Sequence, residues 1–171
     1  AAFSGGTAMA RIGIYGGSFN LLEHTLPNYG ITTTFVDPDE EGAFENAIDE
    51  NTRAIFIESL GNPNSNIIDI KKVAAVAHAH NIPLVIDSTF ATPYLLRPFE
   101  HGADIVVHST TKYMDGHDAT VGGCIVDSGN FDWMAHADKF PGLTTPDDSY
   151  HGITYAERFG KGGAYITKAT A

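Results

Sequence analysis

The chain lacks most of what marks secreted, membrane-spanning and nucleic-acid-binding proteins. It has one cysteine, Cys124, so no disulfide can close within it, and a reducing compartment such as the cytoplasm is the expected setting. No apolar run approaches the roughly 20 residues that cross a bilayer, and no signal-peptide pattern is visible. Basic side chains are scarce: 10 Lys and Arg stand against 21 Asp and Glu, for a net charge of −11. That balance argues against nucleic acid, which needs a basic face, and against an anionic membrane surface. Internal repeats and low-complexity tracts are absent. The histidines form no metal motif: His78 and His80 lie two apart on a predicted helix and diverge, and there is no His-Glu-x-x-His. No metal is expected.

What the chain does have is enough apolar residue, 43%, and enough length for one good core; roughly 70% of the unfolded surface is hidden at this size. Apolar patterning alternates between two periods. Strands are predicted at 11–15, 31–36, 54–57, 84–86, 103–107 and 121–126. Helices are predicted at 18–26, 40–48 and from Asp69, a helix cap, to about His80, where Ile70, Val73, Ala74 and Ala77 keep helical spacing. Beyond Trp133 the pattern fades into a stretch rich in proline, glycine, threonine and aspartate that supports no assignment. The alternation predicts an α/β fold with a mostly parallel, doubly wound sheet. Ligands in such sheets sit beyond the carboxyl ends of the strands, where Glu58, Asp87 and Lys112 fall.

Lys112 is the most informative of these. It follows the buried-strand pattern 103–108 and is preceded by the hydroxyl residues Ser109 and Thr111. Such hydroxyls can bind a phosphate while the amine condenses with an aldehyde. Asp87 ends another buried strand, where it can pair with a protonated pyridine nitrogen. Taken singly, each has a plainer explanation: a rim lysine in solvent, an aspartate capping a turn, loop hydroxyls. Taken together, on two strand ends, they describe a site for pyridoxal phosphate. A competing motif, Gly16-Gly17-Ser18-Phe19-Asn20, has the glycine turn of certain nucleotidyltransferases but not their paired histidines; only His24 follows.

Several stretches carry a family likeness. Asp87-Ser88-Thr89-Phe90-Ala91-Thr92-Pro93, the run from His101 through Lys112 to Gly116-His117, Tyr15-Gly16-Gly17-Ser18 and Glu58-Ser59-Leu60-Gly61-Asn62-Pro63 resemble the cysteine/methionine-metabolism family of pyridoxal phosphate enzymes. Val126 to Trp133 and Ser149-Tyr150-His151-Gly152 resemble its sulfhydrylase branch. The likeness runs from about Tyr15 to about Lys168.

The resemblance implies the large domain of an aspartate-aminotransferase-like, fold type I enzyme. It implies Lys112 as the cofactor's covalent anchor and proton carrier, Asp87 as partner of the pyridine nitrogen, and Ser109 and Thr111 as phosphate ligands. Tyr15 would stack on the ring and assist the leaving group. Asn62 would lie near the phenolic oxygen, and Thr89 would support the ring or Asp87. The implied reaction is γ-replacement on O-acetylhomoserine by sulfide, giving homocysteine and acetate. A cystathionine γ-synthase or methionine γ-lyase type of activity, or an inert fragment, are the alternatives. A homo-oligomer, tetrameric at full length, is implied as well. Family members are more than twice as long, so residues 11–171 are expected to be a partial cofactor domain, without N-terminal arm or C-terminal domain. Residues 1–10 are expected to be either a leader or a remnant of the phosphate-binding turn.

Overall fold

In a computed structural model of the chain, residues 6–11 and 13–171 are described. Six strands form one sheet: β1 (Thr7–Arg11), β2 (Thr32–Val36), β3 (Thr52–Glu58), β4 (Leu84–Asp87), β5 (Ile105–Ser109) and β6 (Gly123–Asp127). Their order across the sheet is β2-β1-β3-β4-β5-β6. All pairings are parallel except the last, where β6 runs antiparallel to β5. The mostly parallel sheet is therefore the one expected, with one reversed edge.

Apolar side chains alternate between the two faces, as a period of two requires. On one face Ile55, Ile57, Leu84, Ile86 and Val106 pack with Val73, Ala74 and Ala77 of helix α3 (Ile70–Ala79). On the other, Ala54, Val85 and Ile105 pack with Trp133, Phe140 and Tyr155. Both faces are covered, so β3, β4 and β5 read as nearly continuous apolar runs. The α3 boundaries match the prediction because their cause is local: the Asp69 carboxylate accepts the Lys72 N–H at 3.2 Å and caps the helix.

Other helices are shorter or more broken than their patterns. The predicted 18–26 segment opens as α1 (Gly16–Asn20) and continues through a wide turn and a tight turn to Tyr29, with Pro27 in the last turn. The predicted 40–48 segment shrinks to α2 (Ala43–Ala47), because Gly42 takes a left-handed conformation at φ 73° and cannot continue a helix backwards. Short turns of helix form α4 (Thr92–Leu95) and α5 (Pro141–Thr144). The chain closes with α6 (Tyr155–Thr170), which is interrupted at Gly160.

Two expectations are corrected here. The first strand lies at Thr7–Arg11, not at 11–15. Met9 and Ala10 are the buried residues, and Gly13, at φ 74°, has left the extended region. Residues 7–10 of the segment expected to be either a leader or a remnant of the phosphate-binding turn thus lie in an interior strand, between β2 and β3. Ala1 to Gly5, the first half of that segment, lie outside the described residues. The second correction concerns the tail. The region beyond Trp133, unassigned from sequence, contributes α5 and α6 and covers one face of β3, β4 and β5.

Candidate active site

A cleft of about 140 Å³ opens beyond the carboxyl ends of β3, β4 and β5. Tyr15, Glu58, Leu60, Asn62, Asp87, Thr89, Phe90, Ser109 and Lys112 line it. Three parallel strands deliver three groups there by construction. Glu58 ends β3, Asp87 ends β4, and the two are register partners. Ser109 ends β5, and Lys112 follows three residues later.

The strand ends are tied to one another as well as to their ladders. The Ser59 N–H donates to the Asp87 carbonyl at 2.9 Å, and the Ser88 N–H donates to the Val107 carbonyl at 3.0 Å. The buried hydroxyls of Ser59 and Ser88 meet at 3.1 Å. His108, buried under the site, donates from Nδ1 to the Ser88 carbonyl at 3.0 Å.

Asp87 is held through one oxygen. Its Oδ1 accepts the Thr89 N–H at 2.9 Å and the Thr89 hydroxyl at 2.5 Å. The same hydroxyl oxygen accepts the Ser109 N–H at 2.8 Å. Asp87 Oδ2 takes part in neither tie, so the carboxylate is aimed and still has an oxygen to offer.

Lys112 sits in an irregular turn, with φ −90° and ψ −123° inside a helical stretch from Thr110 to Met114. Its amine reaches Asp118 at 3.4 Å, and both side chains are substantially exposed. Such a surface pair is worth about 0–1 kcal/mol, so it does not commit the amine. Thr111 does not line the cleft. Its hydroxyl donates to the Gly122 carbonyl at 3.2 Å and accepts the Gly122 N–H at 2.9 Å, fastening the lysine turn to the approach of β6.

Tyr15 stands exposed at the rim, at the start of α1, and Asn62 lies on the loop after β3. The cleft therefore gathers six of the seven predicted residues: Tyr15, Asn62, Asp87, Thr89, Ser109 and Lys112. Sequence reasoning gave no role to Glu58, Leu60 or Phe90. For Glu58 the signal was available, since an acid ending a buried apolar run is what singles out Asp87.

An aromatic aldehyde carrying a phosphate and a basic ring nitrogen fits this donor set. The amine suits the aldehyde, the spare Asp87 oxygen suits a ring N–H, the Ser109 hydroxyl suits the phosphate, and the Tyr15 ring suits a flat partner.

Comparison with known proteins points the same way. The family model described as Cys/Met metabolism PLP-dependent enzyme, PLP being pyridoxal phosphate, matches residues 2–154. Homocysteine synthase of Schizosaccharomyces pombe is 50% identical over 148 residues, which are 86% of this chain and 34% of that protein. O-acetyl-L-homoserine sulfhydrylase of Leptospira meyeri is 46% identical over 173 residues, 97% of this chain and 39% of that protein. The chain thus spans little more than a third of the length of these curated relatives. A crystal structure of a putative O-acetylhomoserine (thiol)-lyase from Campylobacter jejuni, which contains a pyridoxyl-lysine phosphate, superposes with a TM-score of 0.84 at 37% identity. It matches 96% of this chain and 45% of its own. With the family model matching residues 2–154 and the fold shared with a solved structure at a TM-score of 0.84, the chain belongs to the Cys/Met metabolism family of pyridoxal-phosphate-dependent enzymes.

Proposed function

We propose that this chain forms the cofactor-binding part of an enzyme that replaces the γ-acetoxy group of O-acetylhomoserine with sulfide, releasing homocysteine and acetate. The observation that carries the reading is the convergence of Lys112, Asp87 and Ser109 on one cleft. Relatives named homocysteine synthase and O-acetyl-L-homoserine sulfhydrylase, at 41–50% identity, favour replacement over simple elimination.

Bound pyridoxal phosphate supplies an electron sink for carbanion chemistry next to an amino group. The protein's part is attachment, orientation and proton transfer. Lys112 would anchor the aldehyde covalently and, when its amine is free, would carry protons at the substrate's α and β carbons. Asp87, fixed by Thr89, would hold a ring nitrogen in its protonated form. Ser109 would donate to the phosphate, and Thr111 would join it if its bond to Gly122 yields. Tyr15 would offer a flat surface to the ring and assist departure of acetate at the γ position. Asn62 would donate toward the phenolic oxygen.

The cleft adjoins a wider groove that shares Leu60, Asn62 and Phe90 with it and adds Tyr94 and Tyr113. We place the amino-acid substrate's approach there. No helix among the described residues is long and apolar enough to cross a membrane. A cytoplasmic homo-oligomer is the setting we propose, in keeping with the single, unpaired Cys124.

The test is chemical. Pyridoxal phosphate added to the chain and reduced with borohydride is expected to label Lys112, as read by peptide mapping. Label spread over surface lysines and unchanged in Lys112→Ala would refute the assignment. A chain extended to the length of its relatives is expected to form homocysteine from O-acetylhomoserine and sulfide, and to release little ketoacid when sulfide is withheld.

A further inference from the structure

Glu58 lines the cleft beside Asp87, yet the reaction above gives it no task. It is 5% exposed, and burial of a carboxylate demands partners. Two of them are informative. Oε1 accepts the backbone N–H of Tyr15 at 2.8 Å, and Oε2 accepts the backbone N–H of Asn62 at 3.2 Å. Tyr15 lies 43 residues before Glu58, and Asn62 lies four after it. One side chain on the rigid end of β3 thus joins two loop walls of the cleft that share no secondary structure.

The arrangement is that of a bracket and not of an acid or base. Each of its oxygens is held by a backbone amide, a donor that fixes position and exchanges no proton with the side chain. Tyr15 also rests on Gly17, where a Cβ would stand 2.7 Å from the tyrosine Cε1. With its N–H held by Glu58 and its ring seated on Gly17, the rim tyrosine is fixed at both ends.

We infer that Glu58 is a positioning residue: it sets the spacing between Tyr15 and Asn62, and hence the width of the slot into which the cofactor ring fits. This rests on the functional reading above for what fills the slot, but the bracket itself can be tested without any ligand.

The experiment compares the wild-type 171-residue chain with Glu58→Met, which has similar length and no strong acceptor, and with Glu58→Gln, which keeps one acceptor. Backbone amide exchange is read residue by residue, and pyridoxal phosphate affinity is read by absorbance titration. In Glu58→Met, exchange at Tyr15 and Asn62 is expected to speed up about tenfold or more, the equivalent of one lost hydrogen bond each. Exchange at Ile57 and Ile86 is expected to stay at wild-type rates. Glu58→Gln is expected to free one of the two amides and spare the other. Cofactor affinity is expected to fall by about tenfold in the methionine variant and less in the glutamine variant. Unchanged exchange at both amides, or a uniform rise across the sheet, would overturn the bracket. Failure of the wild-type chain to bind pyridoxal phosphate would instead sink the functional reading, leaving the exchange result to stand on its own.

Discussion

Asp87 and Thr89 are joined twice through a single oxygen: the threonine N–H and hydroxyl both reach Asp87 Oδ1, at 2.9 and 2.5 Å. The hydroxyl oxygen in turn accepts the Ser109 N–H, so one threonine aligns the end of β4 with the end of β5. Thr89→Val keeps the shape but removes both hydroxyl contacts. A loss of about tenfold in pyridoxal phosphate affinity is expected, since each net hydrogen bond contributes about 0.5–1.5 kcal/mol. Thr89→Ser should restore most of it. Titration of the three proteins decides the matter; equal affinities would show that Asp87 is aimed by its strand alone.

Asp87→Asn should bind the cofactor but lose the charge that keeps a ring nitrogen protonated. In a chain extended to the length of its relatives, turnover is expected to drop by about 10³-fold or more, some 4 kcal/mol of transition-state stabilisation. Near-normal turnover would reduce Asp87 to a turn cap.

Trp133 is 1% exposed and lies between Phe140, edge-on at 5.1 Å, and Tyr165, stacked at 5.9 Å. Trp133→Ala should cost about 3–5 kcal/mol, the usual range for truncating a large buried aromatic. Urea unfolding measures it. A cost below 1 kcal/mol would mean that the tail packs on the sheet without relying on this ring.

Asp147 holds the C-terminal helix by accepting from the Lys168 ammonium, with Ser149 as a second donor. The Lys168 hydrogen bond, followed by the Ser149 bond, pushes its pKa down from the usual 3.8 to about 2. A carboxylate depressed in the folded state contributes stability that is complete above its unfolded pKa and fades as pH falls through the folded one. Attachment of α6 should therefore weaken between about pH 4 and pH 2. Far-UV circular dichroism and exchange at α6 amides should both report the change, and Asp147→Asn should flatten the dependence in this window.

Asp69→Ala removes the carboxylate that caps α3 and should cost about 1 kcal/mol, within the 0.5–2 kcal/mol seen for such caps. Asp69→Ser should recover most of the loss, as measured by the midpoint of chemical unfolding.

The sequence was most legible where the cause of structure is local or strictly periodic. The α3 cap, the buried runs of β3 to β5 and the chemistry-bearing residues at their ends all follow from a few neighbouring positions. It was least legible where distant backbone decides. Glycines at 160, 162 and 163 weaken any helical pattern in the tail. Yet α6 packs closely on the turn at Gly129, which takes φ 73° and where a Cβ would stand 3.3 Å from the Gly162 Cα. Propensity argues against that helix and packing enforces it. The first strand was misplaced because Ile14 and Tyr15 prolong the apolar pattern, whereas Gly13 at φ 74° ends the extended backbone before them. Thr111 shows a different limit. Its place before the lysine is legible, but its two bonds to Gly122 depend on a strand that begins twelve residues later.

The register between Glu58 and Asp87 acts as a ruler for this site. Neighbouring strands stand about 4.8 Å apart, so the ends of β3, β4 and β5 span about 10 Å whatever side chains they carry. Transverse spacing is a property of the backbone ladder, while reach into the cleft is set residue by residue. Variation at strand-end positions can therefore change what the site recognises without rescaling it. A one-residue slip of β4 would do the reverse: it would keep every residue type and turn the side chain at the strand's end to the other face of the sheet.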